Sequence, residues 1–210
     1  MFLPDWQSIT QTVQQLFPCP LCQLDRQSPH GVCLDCWQQL PWLEQPVIRQ
    51  QHQIQVAFDY TFPINQVIQQ FKYEQQLHFQ HLLCASLMQL KLKKVQAVVA
   101  MPISKQRLQQ RGYNQMLIIA QRLSRQLQIP VWQPVTRLAQ HSQKGLSRVE
   151  RMQNIEQQFQ IVPTQRRKYR KVLLIDDVVT TGSSISAMYQ ALQKLGCQQI
   201  DIACIAAAQH

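Results

Sequence analysis

The sequence contains no run of about eighteen uncharged apolar residues, so it predicts no membrane-spanning helix. Its start, Met1 to Trp6, lacks a basic segment followed by an apolar one and therefore predicts no secretory signal. These two absences lead us to expect a cytoplasmic protein. Acidic residues are also scarce, because 11 of the 210 residues are Asp or Glu against 21 Lys or Arg, a formal net charge of +10.

The positive charge is unevenly distributed along the chain. Residues 1–56 contain two basic and four acidic residues, whereas residues 57–210 contain nineteen basic and seven acidic ones, which gives net charges of −2 and +12. The basic surplus therefore belongs to the larger, C-terminal part. Such a surplus predicts anionic partners: a phosphorylated small molecule, nucleic acid or an acidic membrane surface.

Four of the seven cysteines form two C-x-x-C pairs that are separated by ten residues. Two such pairs are typical of four thiolates around one tetrahedral metal ion, and zinc is the ion that prefers this donor set. Four sulfur ligands leave no open coordination position, so the sequence predicts a structural zinc in a small, zinc-ribbon-like module. The predicted ligands are Cys19, Cys22, Cys33 and Cys36.

The chain divides into two predicted domains. We assign residues 1–45 to an N-terminal helix and the four-cysteine module, and residues 54–210 to an α/β domain, with a proline-containing linker over about 40–55. We expect loss of a thiolate to loosen the module and leave the larger domain folded. In the larger domain, short apolar runs alternate with helical periodicity, which predicts a mostly parallel sheet with helices on both faces. The predicted helices are 6–17, 64–73, 77–92, 116–127, 150–158 and 185–195, and the predicted strands are 54–60, 97–101, 131–138, 172–175 and 200–206.

The most informative segment is the apolar run Val172 to Ile175, which is followed directly by two carboxylates and a turn rich in hydroxyl groups. A buried strand, a tight turn and a helix start place backbone N–H groups where they bind an anion. The carboxylates of Asp176 and Asp177 can accept hydrogen bonds from two adjacent ribose hydroxyls. The predicted 5-phosphate ligands are Thr180, Thr181, Gly182, Ser183 and Ser184.

Two further segments are predicted to reach the same site, because the carboxyl ends of parallel strands meet at one edge of a sheet. The turn of Pro102, Ile103 and Ser104 follows a strand and offers backbone groups to a pyrophosphate, with charge from Lys105 or Arg107; the alternative is an ordinary solvated helix start. The polar segment 140–151 is interpreted either as a lid or as a plain exposed connection. The lid would contribute Lys144 and Arg148.

The run from Val172 to Ser184 resembles the phosphoribosyl pyrophosphate (PRPP) motif of type I phosphoribosyltransferases. Together with other blocks, it makes almost the whole chain similar to the ComF family, in which a four-cysteine zinc module precedes a type I phosphoribosyltransferase domain. The other blocks are the two cysteine pairs, Lys72-Tyr73, Met101 to Ser104, Arg111 to Gln115, and Gln143, Leu146, Arg151, Asn154 and Phe159.

The resemblance implies a PRPP-binding protein that takes part in DNA uptake during natural transformation, with Mg²⁺ accompanying PRPP. A binding module of this kind would contact single-stranded DNA on the cytoplasmic side, next to the uptake machinery at the inner membrane. The alternative is an active phosphoribosyltransferase of nucleotide salvage without a DNA role. Asp176 and Asp177 would then be catalytic, and a nitrogen nucleophile would displace pyrophosphate from the sugar.

Several residues have two interpretations at this stage. Arg111 and Asn114 either contact a ligand or DNA, or fix their own loop. Aromatic residues near basic ones either stack on bases or belong to the core, and the basic run 166–171 either binds phosphates or is a solvated loop. The aromatic residues concerned are Tyr113, Trp132 and Tyr169.

Overall fold

The computed structural model describes residues 16–138, 158–162 and 168–208. Its main sheet has five strands: β1 (Val47–Arg49), β2 (His52–Asp59), β3 (Ala97–Ala100), β6 (Lys171–Val179) and β7 (Gln199–Ala207). The order across the sheet is β1, β2, β7, β6, β3, and all neighbours are parallel except β1 and β2. A separate antiparallel pair consists of β4 (Val135–Arg137) and β5 (Phe159–Ile161). The mostly parallel sheet confirms the predicted fold class.

Helices cover both faces of the sheet. They are α1 (Leu34–Gln38), α2 (Ile64–Tyr73), a 3-10 turn (Leu77–Phe79) that leads into α3 (Gln80–Met88), α4 (Lys105–Arg111), α5 (Gln115–Leu127) and α6 (Ser183–Lys194). Side chains alternate along a strand. Leu173 and Ile175 of β6 therefore pack with α2, α3 and α5, whereas Val172 and Leu174 pack with α6 on the opposite face.

The predicted linker is wrong in its C-terminal part, because β1 and the first residues of β2 lie within residues 40–55. Val47, Ile54 and Val56 pack in the core on the α6 face, so this segment gains more from burial than a solvated linker would. The predicted helix over 77–92 is also shorter and ends at Met88. The predicted helices 6–17 and 150–158 lie almost entirely outside the described residues.

Strand boundaries differ from the predictions where the neighbouring chain decides them. The strand that was predicted to end at Ile175 continues to Val179, because β7 runs beside it and pairs Asp176 with Cys204. The strand predicted over 131–138 is limited to β4, since Pro134 has no N–H group with which to extend the ladder.

The four-cysteine module shares the core of the larger domain. Cys19 and Cys33 belong to the same buried cluster as Phe58 of β2 and the apolar faces of α2 and α3. The contact is close, because a Cβ added at Gly31 would lie 2.7 Å from the Cβ of His81. This common core changes the expectation that the module loosens alone, and it couples the stability of the cysteine site to that of the sheet.

Candidate functional site

The carboxylate pair lies at an open edge of the sheet. β3 ends at Ala100, which pairs with Ile175, while β6 continues beyond it with β7 as its only neighbour in the described part of the sheet. Asp176 and Asp177 occupy this projecting segment. Because side chains alternate along the strand, the two carboxylates leave the sheet on opposite faces.

Asp177 is held by three donors from the protein. The Nζ of Lys72 lies 2.8 Å from its Oδ1, and the Nε2 of Gln115 donates to its Oδ2 at 2.8 Å. The backbone N–H of Val178 donates to Oδ1 at 2.7 Å. Lys72 and Gln115 were not among the predicted site residues, although both lie in blocks that carry the family resemblance. Their partner could not be assigned from the sequence, because each lies more than sixty residues from Asp177.

Asp176 has a different environment. Burial, followed by the adjacent Asp177, raises the pKa of its carboxyl group to about 7, although the backbone N–H of Asp177 and the cations Lys72 and Arg137 oppose this rise. The N–H of Asp177 donates to its Oδ1 at 2.9 Å. Asp176 therefore titrates near neutral pH, and only its ionised form is a pure hydrogen-bond acceptor.

Arg137 of β4 brings a cation to the other side of the site, and the sequence analysis did not identify it. The Nη2 of Arg137 donates to Ser184 Oγ at 3.1 Å and to Gln158 Oε1 at 3.3 Å. Burial, followed by the nearby cation Arg107, lowers the pKa of Arg137, and Asp176 and Asp177 oppose this shift only in part. The guanidinium therefore links the start of α6 electrostatically to the carboxylate pair.

The turn before α6 depends on Gly182. This residue has φ of +78°, and a Cβ there would lie 2.7 Å from the Cβ of Arg49. Arg49 of β1 fixes the turn from outside, since its Nε donates to the Thr180 carbonyl at 3.0 Å. Thr181 Oγ1 and Ser183 Oγ are 2.9 Å apart. The turn thus presents hydroxyl groups and the first N–H groups of a twelve-residue helix at one place.

The second predicted turn lies at the end of β3, next to the first. The N–H of Met101 donates to the Ile175 carbonyl at 2.9 Å, and Ser104 caps α4 by accepting a hydrogen bond from the N–H of Arg107. Pro102 is buried, Ile103 and Ser104 are half-buried, and Lys105 and Arg107 are exposed. The predicted lid residues Lys144 and Arg148 lie outside the described residues.

The block from Arg111 to Gln115 is hydrogen-bonded within the protein. Asn114 Nδ2 donates to the Met101 carbonyl at 3.1 Å, and its Oδ1 accepts from the N–H of Met116 at the start of α5. Arg111 donates from Nη1 to Gln115 Oε1 at 3.1 Å and from Nη2 to Tyr73 Oη at 2.9 Å. These bonds fasten α4, α5 and the end of α2 around the carboxylates.

The aromatic residues that could either stack on bases or belong to the core make contacts within the protein. Trp132 is buried, and Tyr169 packs against its edge with ring centroids 5.4 Å apart. The Oη of Tyr113 donates to the Phe71 carbonyl. Lys168, Arg170 and Lys171 of the basic run are exposed, and Tyr169 between them is half-buried. Arg166 and Arg167 of the same run lie outside the described residues.

The four cysteines of the two pairs converge as predicted. Their sulfur atoms all lie within 4.8 Å of one another, and Cys22 Sγ is 3.7 Å from Cys33 Sγ. A tetrahedral zinc ion with bonds of about 2.3 Å requires sulfur atoms about 3.8 Å apart. Hydrogen bonds from the backbone of Leu24 and Asp25 lower the pKa of Cys22 to about 6, which favours its thiolate, whereas burial raises the pKa of Cys33 and Cys36. A bound metal would have to displace the protons of those two thiols. The cluster therefore fits a closed, structural zinc site.

Among the described helices, none combines the length and the apolar character that a membrane span requires.

The phosphoribosyl transferase domain family matches residues 116–210. Competence protein F of Haemophilus influenzae is 32% identical over 199 residues, which cover 89% of this chain and 83% of the relative. DNA utilization protein YhgH of Escherichia coli K12 is 30% identical over 204 residues, with 89% and 82% covered. Competence protein ComFC of Bacillus subtilis is 25% identical over 182 residues, with 85% and 72% covered.

Proposed function

The chain belongs to the ComF family of competence proteins, and from this premise we propose that its site binds PRPP and that the protein acts in DNA uptake during natural transformation. The observation that carries the proposal is the arrangement at the end of β6. Two carboxylates, the Gly182 turn and the first turn of α6 follow one another within eleven residues and lie at the open edge of the sheet. A sugar with adjacent hydroxyls and a phosphate matches this set of acceptors and donors.

Each part of PRPP has proposed partners. The ribose hydroxyls donate to Asp176, while Asp177, whose two oxygens already accept bonds from Lys72, Gln115 and Val178, orders the strand end. The 5-phosphate lies on the Gly182 turn, and Arg137 adds a charge-assisted contact beside Ser184. The pyrophosphate lies on the turn after β3, where Lys105 and Arg107 supply charge and Mg²⁺ accompanies it.

The proposed DNA contact is supported by the charge of the larger domain. Residues 57–210 carry a net charge of +12, and Lys168, Arg170 and Lys171 are exposed immediately before and at the start of β6. Lys and Arg side chains bind the phosphates of single-stranded DNA regardless of sequence. The contact would lie on the cytoplasmic side, where the uptake machinery delivers the strand.

Calorimetric titration with PRPP and Mg²⁺ tests the small-molecule site. The double variant Asp176→Ala, Asp177→Ala should lower the affinity by about a hundredfold or more. It removes the charged hydrogen bonds from the ribose hydroxyls to Asp176, which contribute about 1.5–3 kcal/mol each, and also the carboxylate of Asp177 that orders the strand end. Asp201→Ala is the matched control, since Asp201 belongs to the neighbouring strand β7 and its carboxylate pairs with Lys93. Unchanged PRPP affinity in the folded double variant would contradict the proposal. Pyrophosphate release in the presence of a free base would favour the salvage alternative.

The salt dependence of binding to single-stranded DNA tests the second part. Affinity should fall with salt with a log-log slope of about 0.7 for each phosphate neutralised. Replacing Lys168, Arg170 and Lys171 by Gln should flatten this slope and leave PRPP affinity unchanged. A variant with Gln at the exposed Lys91, Lys93 and Lys94 removes the same charge elsewhere and should keep more of the slope. Equal slopes in both variants would mean that this basic run makes no specific contribution.

A further inference from the structure

A cleft lies between the helices α4 and α5 and the antiparallel pair of β4 and β5. Its volume is about 1020 Å³, at the upper end of the range of about 300–1,000 Å³ for small-molecule sites. Much of its lining is aliphatic, and Leu108, Leu138 and Ile161 of this lining are 44%, 43% and 37% exposed. A ligand that covers these side chains therefore gains free energy from burial.

The cleft is a neighbour of the carboxylate site and not a part of it. Neither carboxylate lines it, nor does any described residue of the turn before α6. Gln115 of α5 donates to Asp177, whereas Leu117 and Gln121, which line the cleft, project from nearly the opposite side of the same helix. The two sites meet only at the turn after β3, at the start of α5 and at Arg137.

The charged side chains of the cleft are all positive. Lys105 and Arg137 line it, and the described lining contains no acidic residue. Residues 75–149, which include α4, α5 and β4, contain no Asp or Glu at all. This charge favours an acidic ligand and opposes a second copy of this chain, whose formal net charge is +10.

One buried donor in the cleft lacks a partner. The Nε2 of Gln133, a lining residue, is buried and donates no hydrogen bond to any described part of the chain. A buried donor without an acceptor is costly, so a ligand that brings an oxygen atom to this amide is favoured. Peptide carbonyl and carboxylate oxygens are acceptors of this kind.

The aliphatic lining distinguishes between anionic ligands. Bases of single-stranded DNA stack on aromatic rings, but Tyr113 is the one aromatic residue of the described lining, and its Oη donates to the Phe71 carbonyl. We propose that the cleft binds an acidic segment of a partner protein, which inserts aliphatic side chains beside Leu108 and places its carboxylates near Lys105 and Arg137. An apolar groove with a basic rim is suited to such a segment. The proposal does not depend on PRPP binding.

Fluorescence polarisation tests the proposal with a labelled peptide of sequence Asp-Asp-Leu-Leu-Asp-Ile-Leu-Asp. PRPP is left out, because the cations of the rim are also proposed to serve that ligand. The full chain should bind this peptide at least tenfold more tightly than a peptide with Ser in place of Leu and Ile, or one with Lys in place of Asp. The double variant Leu108→Ser, Leu138→Ser should weaken the acidic peptide by about tenfold or more, because two leucine contacts are lost.

The matched control is the double variant Leu77→Ser, Met88→Ser. These two residues are 40% and 37% exposed and lie outside the cleft, so the control should bind the acidic peptide as the wild-type protein does. Equal weakening in the two double variants would mean that the peptide does not lie in the cleft, and this would overturn the proposal. Absence of peptide binding, or equal affinity for the acidic peptide and its Ser version, would overturn it as well.

Gln133→Leu supplies a second readout. It should lower the peptide affinity by about threefold to tenfold, the effect of one lost hydrogen bond. It should not lower the urea concentration at which half of the protein is unfolded, because the amide donor has no partner within the described part of the free protein. An unchanged peptide affinity in a folded Gln133→Leu variant would contradict the proposed contact.

The remaining outcomes identify other occupants of the cleft. If the wild-type protein self-associates in sedimentation and Leu108→Ser, Leu138→Ser makes it monomeric, the cleft is a contact between copies and the proposal is wrong. If that variant loses binding of oligothymidylate and keeps peptide binding, the cleft belongs to DNA. Its PRPP affinity should be unchanged, so the peptide proposal and the PRPP proposal can fail independently of each other.

Discussion

Lys72 and Asp177 form an ion pair across the interface between α2 and β6, with Nζ 2.8 Å from Oδ1. The side chains are only 16% and 13% exposed, so water screens the pair less than it screens a surface salt bridge. Gln115 donates to the other oxygen of the same carboxylate. The charge of Asp177 is therefore balanced inside the protein, whereas Asp176 remains the carboxylate that titrates near neutral pH.

Replacing Lys72 by Met should lower the free energy of unfolding by about 2 kcal/mol, because it leaves the carboxylate of Asp177 without its cation in a mostly buried place. Urea unfolding measures the change. Lys93→Met is the matched control, since Lys93 is 75% exposed and lies 3.7 Å from Asp201, and it should cost less than about 0.5 kcal/mol. Equal costs for the two variants would show that burial does not strengthen the Lys72 pair.

Gly182→Ala should disrupt the turn before α6 through two effects. A residue with a Cβ is strained at φ of +78°, and the added carbon would lie 2.7 Å from the Cβ of Arg49. Gly196→Ala is the control, because Gly196 has φ of +93° and nothing within 4 Å of an added Cβ. In the control, backbone strain alone should lower the free energy of unfolding by about 1–2 kcal/mol. Gly182→Ala should lose more stability and, unlike the control, most of its PRPP affinity; matching behaviour would contradict the role of the Arg49 contact.

Asp176 should make stability fall as the pH rises. Its pKa rises from 3.8 to about 7 on folding, so between these two pH values the folded state binds a proton that the unfolded state has already lost. Raising the pH through this range removes that proton and lowers the free energy of unfolding. The penalty is complete above about pH 7. The free energy of unfolding of Asp176→Asn, relative to that of the wild-type protein, should therefore rise by about 2–4 kcal/mol between pH 4 and pH 8. Urea unfolding at both pH values measures this difference. A difference between the two proteins that does not change with pH would refute the raised pKa.

One zinc ion per chain should be found by elemental analysis of protein purified without chelator. Cys22→Ser should reduce the zinc content, whereas Cys197→Ser, outside the cluster, should leave it unchanged. Because Cys19 and Cys33 share a core with α2 and α3, removal of zinc should lower the unfolding temperature of the whole protein in one transition. Absence of zinc, or an unfolding transition that chelator leaves in place, would contradict this prediction.

Several elements could be predicted because their cause is local in the chain. The apolar spacing of Ile64, Val67, Ile68 and Phe71 predicts the observed helix α2, and the spacing of the cysteine pairs predicts the four-sulfur cluster. The turn after β6 could also be predicted, because its glycine at +78° and its hydroxyl residues are neighbours in the chain, although its contact with Arg49 could not. Prediction failed for β1, which has three residues and depends on β2 for its hydrogen bonds.

The sequence by itself determined the α/β class, the cysteine cluster and the position of the carboxylates, since periodicity and short motifs act between residues close in the chain. Only the tertiary structure decided which cations reach the carboxylates and the turn that follows them. Lys72 reaches Asp177, Arg137 reaches Ser184, and Arg49 reaches Thr180 from 131 residues away. An ion pair or hydrogen bond depends on distance in space, and many other Lys and Arg residues of this basic chain had the same chemistry. Packing of α2, β1 and β4 around the end of β6 selected these three.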